Sequence, residues 1–157
     1  MVVKAPTLRV LIVEGDPVQA QLLREYLEYV GPYEVLEIKG VNHLLAICES
    51  LLRWPAFLLL DMDWFRVDGV DLILEIRKRN SWLPILGMTD RQAELYDDRR
   101  LHGSSIGLIR KPFPPYQLHR SITATLKAHS NLKDFKVRQS IPFDLDRTRK
   151  YSKAPAP

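Results

Sequence analysis

Residues 56–63 read AFLLLDMD, the most apolar run of the chain followed closely by two acidic residues. An unbroken apolar run of this length is typical of a central parallel strand, which is buried on both faces. Asp61 and Asp63 then stand where that strand should end. Open α/β sheets bind their ligands outside the carboxyl ends of the strands. The stretch therefore predicts both the centre of a sheet and a polar site at its edge.

Strand and helix patterns alternate along the rest of the chain. Runs of strand character occupy five segments: residues 8–13, 33–38, 56–60, 83–88 and 106–109. A helical pattern follows each strand. The first helix begins after an N-cap at Asp16 with Pro17 and ends at Gly31-Pro32, and the second is capped by Asn42. The third follows Gly69, the very polar fourth covers 91–101, and the fifth starts at Pro114-Pro115. This alternation predicts a parallel sheet with helices on both faces.

The composition is ordinary for one globular domain. The chain has 157 residues, of which 46% are hydrophobic and 27% are charged. No apolar run is long enough to span a bilayer, and the first residues lack a signal-peptide core, so we expect a cytoplasmic protein without a membrane segment. The lone cysteine, Cys48, lies in an apolar pattern and is expected to be buried.

The net charge of +4 is concentrated near the C-terminus. Residues 130–157 hold seven basic and three acidic residues, so residues 1–129 are neutral. We expect a domain over residues 1–129 and a basic tail over residues 130–157 that is flexible or binds a partner. A basic tail on a neutral body is weak support for nucleic-acid binding, and we expect none by the domain.

Polar side chains follow the predicted strands at the edge where such sheets bind ligands. They are Glu14 and Asp16 after the first strand, Asp61 and Asp63 after the third, Thr89 and Asp90 after the fourth, and Lys111 after the fifth. Grouped carboxylates suit a hard divalent cation, most plausibly Mg²⁺. A carboxylate can also attack phosphorus as a nucleophile, while a lysine and a hydroxyl neutralise and hold the phosphoryl oxygens.

The chain resembles the receiver domains of bacterial response regulators in four stretches. They read VLIVEGDP (10–17), LLLDMDWFRVDG (58–69), LPILGMT (83–89) and IRKPF (109–113), in the family's order and spacing. The resemblance covers residues 8–128 and implies a flavodoxin-like (βα)5 three-layer sandwich, with a parallel five-stranded sheet of order 2-1-3-4-5. Such a domain signals through protein contacts and is not expected to be an enzyme.

The resemblance also implies roles for three residues and for the partners. It marks Asp61 as the phosphoacceptor, Thr89 as the switch hydroxyl and Lys111 as the phosphate-binding lysine. The peptide before Pro112 is often cis in the family. The implied partners are a histidine kinase or phosphotransfer protein and a downstream protein target, and homodimerisation through the fourth helix, fifth strand and fifth helix is one possibility within the family.

The chain departs from the family at the metal site. The usual stretch reads VEDDP, and its second acid binds the metal directly, whereas here that position is Gly15. Losing an anionic ligand should weaken Mg²⁺ binding, because affinity depends on the number and charge of the ligands. Glu14 and the side chain of Asp63 could substitute, so the candidate metal ligands are Glu14, Asp61 and Asp63.

Two further departures concern signalling. Asp90 follows Thr89 where the family prefers a small residue, and an anion there should repel an incoming phosphodonor. Leu108 takes the position of the aromatic switch in the fifth strand.

The residues leave two hypotheses for the function of the chain. One is a stand-alone atypical receiver in two-component phosphorelay signalling, with Asp61 as phosphoacceptor. The other is a phosphorylation-independent pseudo-receiver, an interaction or dimerisation module in which Lys111 only pairs with Asp61.

Overall fold

The computed structural model describes residues 8–31, 33–50, 56–63, 68–102 and 106–130. The elements within them are, in chain order, β1 Leu8–Val13, α1 Pro17–Val30, β2 Tyr33–Glu37, α2 Val41–Ser50, β3 Ala56–Asp61, α3 Gly69–Arg79, β4 Ile85–Thr89, α4 Gln92–Asp97, a 3-10 helix Arg99–Leu101, β5 Ile106–Arg110 and α5 Pro115–Ser130. The strands are parallel and ordered β2-β1-β3-β4-β5, which confirms the predicted flavodoxin-like fold. The predicted tail from residue 131 onwards lies outside the described residues.

The central strand β3 is buried on both faces, as the sequence predicted. Leu58 and Leu60 pack into a cluster that includes residues of α2 and α3, whereas Phe57 and Leu59 pack into a cluster with residues of α1 and α5. All four side chains are fully buried. Because successive residues of a strand point to opposite faces, an unbroken apolar run is what a two-sided core requires.

The first and third helices begin at acidic N-caps. Asp16 accepts a hydrogen bond from the backbone N–H of Val18 at 2.9 Å, which confirms the predicted cap of α1. Asp68 caps α3 through the N–H of Val70, also at 2.9 Å. The second helix corrects the prediction: α2 begins at Val41, so Asn42 lies inside the helix and is not its cap.

Four of the predicted strands differ by one or two residues at one or both ends, and the third of the five strands runs to Asp61 instead of residue 60. The fourth strand runs over 85–89 instead of 83–88, because the N–H of Leu83 bonds to the side chain of Asn80 and Pro84 has no N–H. The second strand ends at Glu37, and the fifth extends to Arg110. Thr89 is therefore the last residue of β4, and Lys111 directly follows β5.

The fourth helix is shorter than the predicted span over 91–101. It ends at Asp97, because the backbone of Asp98 is extended with φ −70° and ψ 110°. The Asp98 carboxylate then accepts from the N–H of Arg100 at 2.9 Å and opens the 3-10 helix. A capping acid inside a polar stretch thus splits one helical pattern into two short elements.

Cys48 is fully buried against α3, and burial raises the pKa of its thiol to about 11. Among the described residues, no helix has both the length and the apolar character needed to cross a bilayer.

Candidate functional site

The three residues of the predicted site meet at the carboxyl edge of the sheet. Asp61 ends β3 and pairs in register with Met88 of β4, while Thr89 pairs with Arg110 of β5. Lys111 continues this ladder, because its N–H donates to the carbonyl of Thr89 at 2.8 Å. The register thereby brings strands that are distant in sequence to one edge. The peptide between Lys111 and Pro112 is cis, as expected.

Asp61 and Lys111 form a largely buried ion pair. The Lys111 ammonium donates to Asp61 Oδ1 at 2.8 Å, and the Asp61 side chain is only 7% exposed. The same oxygen accepts from the N–H of Asp63 at 3.0 Å. Burial acts to lower the pKa of Lys111, but the hydrogen bond and charge of Asp61 outweigh it and the pKa is raised. The ammonium is therefore held in its charged form beside the carboxylate.

The Thr89 hydroxyl faces Asp63 and not Asp61. It donates to Asp63 Oδ1 at 3.0 Å, and the N–H of Asp90 donates to Asp63 Oδ2 at 2.9 Å. Burial acts to raise the pKa of Asp63, but these two hydrogen bonds, with the charges of Lys111 and Arg91, hold the pKa below its usual value. The Asp63 carboxylate is therefore ionised, and it accepts hydrogen bonds from groups at the end of β4.

Arg91 belongs to this site although sequence reasoning did not include it. Its backbone N–H donates to Thr89 Oγ1 at 2.9 Å, and its Nε lies 3.4 Å from Asp63 Oδ1. In the sequence, this role could have been indicated by the basic residue two positions after Thr89. Since Thr89 both donates to Asp63 and accepts from Arg91, the direction of its hydroxyl is set by these two contacts.

Glu14 reaches towards the site from the end of β1. Its Oε1 accepts from the N–H of Asp16 at 3.1 Å. Burial raises the pKa of Glu14, and the charge of Asp61 and a hydrogen bond between the two side chains raise it further. Glu14 and Asp61 are therefore close neighbours, as the sequence suggested.

The candidate metal ligands do not fit Mg²⁺ in this arrangement. Gly15 supplies no side chain, and the carboxylate of Asp16 caps α1. Both oxygens of Asp63 accept hydrogen bonds from β4 and the residue after it. Among the described residues, no group of three or more His, Cys, Asp or Glu side chains is placed to hold a metal ion. Glu14 and Asp61 lie together, and two carboxyls are few for a hard cation.

A cavity of about 510 Å³ opens beside Lys111. Glu14 and Asp16 line it on one side, Asp90 and Lys111 on the other, and Phe113 contributes apolar surface. The space is large enough for a small oxyanion or for a side chain of another protein. Glu14, Asp16 and Asp90 would repel an anionic ligand, whereas Lys111 would attract it.

The switch position of β5 is filled by an aliphatic side chain. Leu108 is 8% exposed and lies opposite Gly87 of β4, where an added Cβ would come within 2.9 Å of its Cδ2. The carbonyl of Leu108 accepts from Nε2 of Gln92 at 3.1 Å, which ties α4 to β5. The position thus has no aromatic ring that could turn between a buried and an exposed state.

Comparisons with known proteins agree with this fold. A family model described as the response regulator receiver domain matches residues 10–123. The chain is 30% identical over 122 residues to the uncharacterized transcriptional regulatory protein YrkP of Bacillus subtilis (strain 168), which covers 78% of this chain and 51% of that protein. The chain therefore spans about half the length of this curated relative.

Solved structures show the same fold. The signal receiver domain of a modulated diguanylate cyclase from Desulfovibrio desulfuricans G20 superposes with a TM-score of 0.62 at 28% identity, over 78% of this chain and 95% of that chain. The chemotaxis protein CheY4 of Vibrio cholerae superposes with a TM-score of 0.61 at 20% identity, over 76% and 98%. At 20% identity, the similarity to CheY4 concerns the fold alone.

Proposed function

Since the chain belongs to the response regulator receiver domain family, we propose that it is an atypical receiver that accepts a phosphoryl group on Asp61. The observation that carries this proposal is the ion pair at the end of the central strand, with Lys111 Nζ at 2.8 Å from Asp61 Oδ1. Receiver domains generally act as non-enzymatic signalling modules. We propose that this one likewise acts through contacts with a histidine kinase or phosphotransfer protein and with a downstream protein.

The chemistry needs one nucleophile and groups that neutralise charge. An oxygen of Asp61 would attack the phosphorus of a phosphohistidine, and the P–N bond would break with its electron pair left on the imidazole nitrogen, which then takes up a proton. Lys111 would neutralise the incoming phosphoryl oxygens, since its ammonium already lies against the acceptor. The transferred group would replace one Asp61 oxygen as the partner of Lys111.

Metal binding is the weakest part of the resemblance. Receiver domains bind Mg²⁺ at an acidic site. In this chain Gly15 lacks the usual carboxylate, and the remaining acids do not fit the ion as they are arranged. We therefore derive no step of the transfer through a metal, and we propose that the affinity of Glu14, Asp61 and Asp63 for Mg²⁺ is low.

A second candidate function is a pseudo-receiver that signals without phosphorylation. One specific contact favours it: the Thr89 hydroxyl, which would hold a phosphoryl oxygen, already donates to Asp63 at 3.0 Å. With Lys111 paired to Asp61, all three groups of the site have partners within the domain. Such a domain would present one surface constantly to its partner.

Intact mass separates the two functions. The protein is incubated with acetyl phosphate or phosphoramidate, with and without Mg²⁺, and then weighed. For a phosphoacceptor we expect a gain of one phosphoryl group in the wild type and in Asp97→Asn, a control acid of α4, but not in Asp61→Asn. If the wild type gains no mass from either donor or from candidate kinases, the pseudo-receiver is the correct function.

A further inference from the structure

Asp63 lies at the convergence of four hydrogen-bond donors or cations. Its Oδ1 is 3.0 Å from the Thr89 hydroxyl and 3.4 Å from Arg91 Nε. Its Oδ2 is 2.9 Å from the N–H of Asp90 and 3.7 Å from Lys111 Nζ. A hydroxyl, a backbone N–H, a guanidinium and an ammonium together are what proteins use to hold a tetrahedral oxyanion. We call this set of donors the anion pocket.

The anion pocket is next to the proposed phosphoacceptor. Lys111 Nζ contacts both acids, at 2.8 Å from Asp61 and 3.7 Å from Asp63. The N–H of Asp63 itself donates to Asp61 Oδ1 at 3.0 Å, and both carboxylates lie near the same ammonium. A phosphoryl group on Asp61 would need the same ammonium and the same hydroxyl that now serve Asp63.

We propose that the Asp63 carboxylate is an internal anion that occupies the anion pocket and competes there with external oxyanions, including a phosphoryl group on Asp61. Thr89 ends β4 and the N–H of Asp90 directly follows it, so the positions of these two donors are set by the strand and not by the ligand. The carboxylate replaces phosphoryl oxygens in charge and in hydrogen bonding. Its side chain is 22% exposed, so it can leave the pocket for solvent.

The competition arises because Asp63 and a second anion need the same donors and carry the same charge. With Asp63 in place, a second anion would share the donors and meet a like charge within hydrogen-bonding distance of the same groups. With Asp63 withdrawn, the donors are released for the other anion. Occupation of the pocket stands on contacts alone, whereas competition with a phosphoryl group rests on the proposed function of Asp61.

Inorganic phosphate tests occupation of the pocket without any covalent step. The full chain is titrated with phosphate, and the backbone amide signals of residues 89–91 are followed by NMR. We expect Asp63→Ala to bind phosphate about tenfold more tightly than the wild type, because hydrogen bonds to a charged group are freed for the ligand. Asp63→Asn, which keeps the size of the side chain, should lie between the two and serves if Asp63→Ala does not fold.

Asp90→Asn is the charge-matched control. The Asp90 side chain is exposed, and only its backbone N–H contacts the pocket. Removing its charge should increase phosphate binding less than Asp63→Ala does. Equal phosphate affinity in the wild type and both Asp63 variants overturns the proposal, and so does an equal gain in Asp90→Asn, because the effect would then be one of charge and not of occupation.

Phosphorylation with acetyl phosphate, followed by intact mass, tests the competition. We expect Asp63→Ala to gain the phosphoryl group about tenfold faster than the wild type. The double variant Asp61→Asn with Asp63→Ala should gain none. Equal rates in wild type and Asp63→Ala overturn the competition and leave Asp61 as an acceptor. Tighter phosphate binding without any labelling overturns the acceptor role and the competition at Asp61, while occupation of the pocket stands.

Discussion

Asp61 and Asp63 are two residues apart and have different surroundings. Asp61 closes the central strand, so its carboxylate is almost fully buried and is balanced by one ammonium. Asp63 lies in the turn after the strand and accepts from groups at the end of β4. Because Asp61 is a strand residue and Asp63 a turn residue, Asp61 pairs closely with Lys111, whereas Asp63 accepts mainly from groups at the end of β4.

Gly15 is the residue whose substitution tests the metal argument. Gly15→Asp adds a carboxylate between Glu14 and Asp16, near Asp61, and we expect affinity for Mg²⁺ to rise about tenfold or more, since cation affinity depends on the number of charged ligands. Calorimetric titration with Mg²⁺ measures the change. Gly40→Asp is the control, because a side chain there meets nothing within 4 Å. Unchanged Mg²⁺ affinity in Gly15→Asp would show that Gly15 is not the cause of weak binding.

At the scale of secondary-structure elements, close contacts between helices and the sheet limit which side chains fit between them. Gly107 of β5 lies under α5, and a Cβ on Gly107 would clash with Thr125 Oγ1. The Thr125 hydroxyl is held in place by its bond to the carbonyl of Ser121 at 2.8 Å. Helix α5 therefore packs on β5 at a distance that only glycine permits.

We expect Gly107→Ala to lower the free energy of unfolding by about 1–3 kcal/mol, because overpacking displaces the helix from the sheet. Urea denaturation measures the change. Combining Gly107→Ala with Thr125→Ala removes the clashing oxygen and should recover part of the loss. Gly40→Ala should remain within about 0.5 kcal/mol of the wild type. A loss of the same size in Gly40→Ala would show that the effect at Gly107 is not one of close packing.

We expect His119 to make the stability of the fold dependent on pH. It is 5% exposed, lies edge-on to Tyr33 with ring centroids 6.5 Å apart, and burial lowers its pKa below the usual 6.5. The unfolded chain therefore binds a proton at His119 more readily than the folded protein, so stability falls as the pH decreases through about 6.5.

Urea denaturation at about pH 7.5 and about pH 5.5 tests this dependence. We expect the wild type to lose more stability on acidification than His119→Gln, which has no group that titrates in this range. His102 is exposed, so His102→Gln should keep the wild-type dependence on pH. If His119→Gln loses as much stability as the wild type, His119 does not contribute.

At the scale of the whole molecule, β3 joins two cores into one. Leu58 belongs to the cluster under α2 and α3, and Leu59 to the cluster under α1 and α5. Neither core can form without the strand that divides them. The described domain should therefore unfold as one cooperative unit.

Leu58→Ala and Leu59→Ala test this cooperativity from opposite faces. Each should lower the free energy of unfolding by about 2–5 kcal/mol, because each leaves a cavity in a fully buried position. Circular dichroism and tryptophan fluorescence should give the same single transition in urea for both variants. Two separate transitions in either variant would show that the two faces unfold independently.

Local patterns allowed most of the fold to be predicted. The order of elements, the burial of β3 and the cap of α1 follow from apolar runs and from capping residues, which act over a few positions. The errors lie where a single side chain redirects the backbone. Asp98 ends α4 early by capping the next turn, and Asn80 with Pro84 delays the start of β4. Such effects depend on one hydrogen bond and leave no periodic signal.

The sequence by itself determined that acids, a hydroxyl and a lysine would gather at one edge of a parallel sheet, because strand ends and their following residues are local properties. Only the tertiary structure decided their partners. Thr89 and the N–H of Asp90 bond to Asp63 across 26 and 27 positions of the chain, and Lys111 bonds to Asp61 across 50. Contacts at such separations depend on strand register and side-chain conformation, which no local pattern encodes.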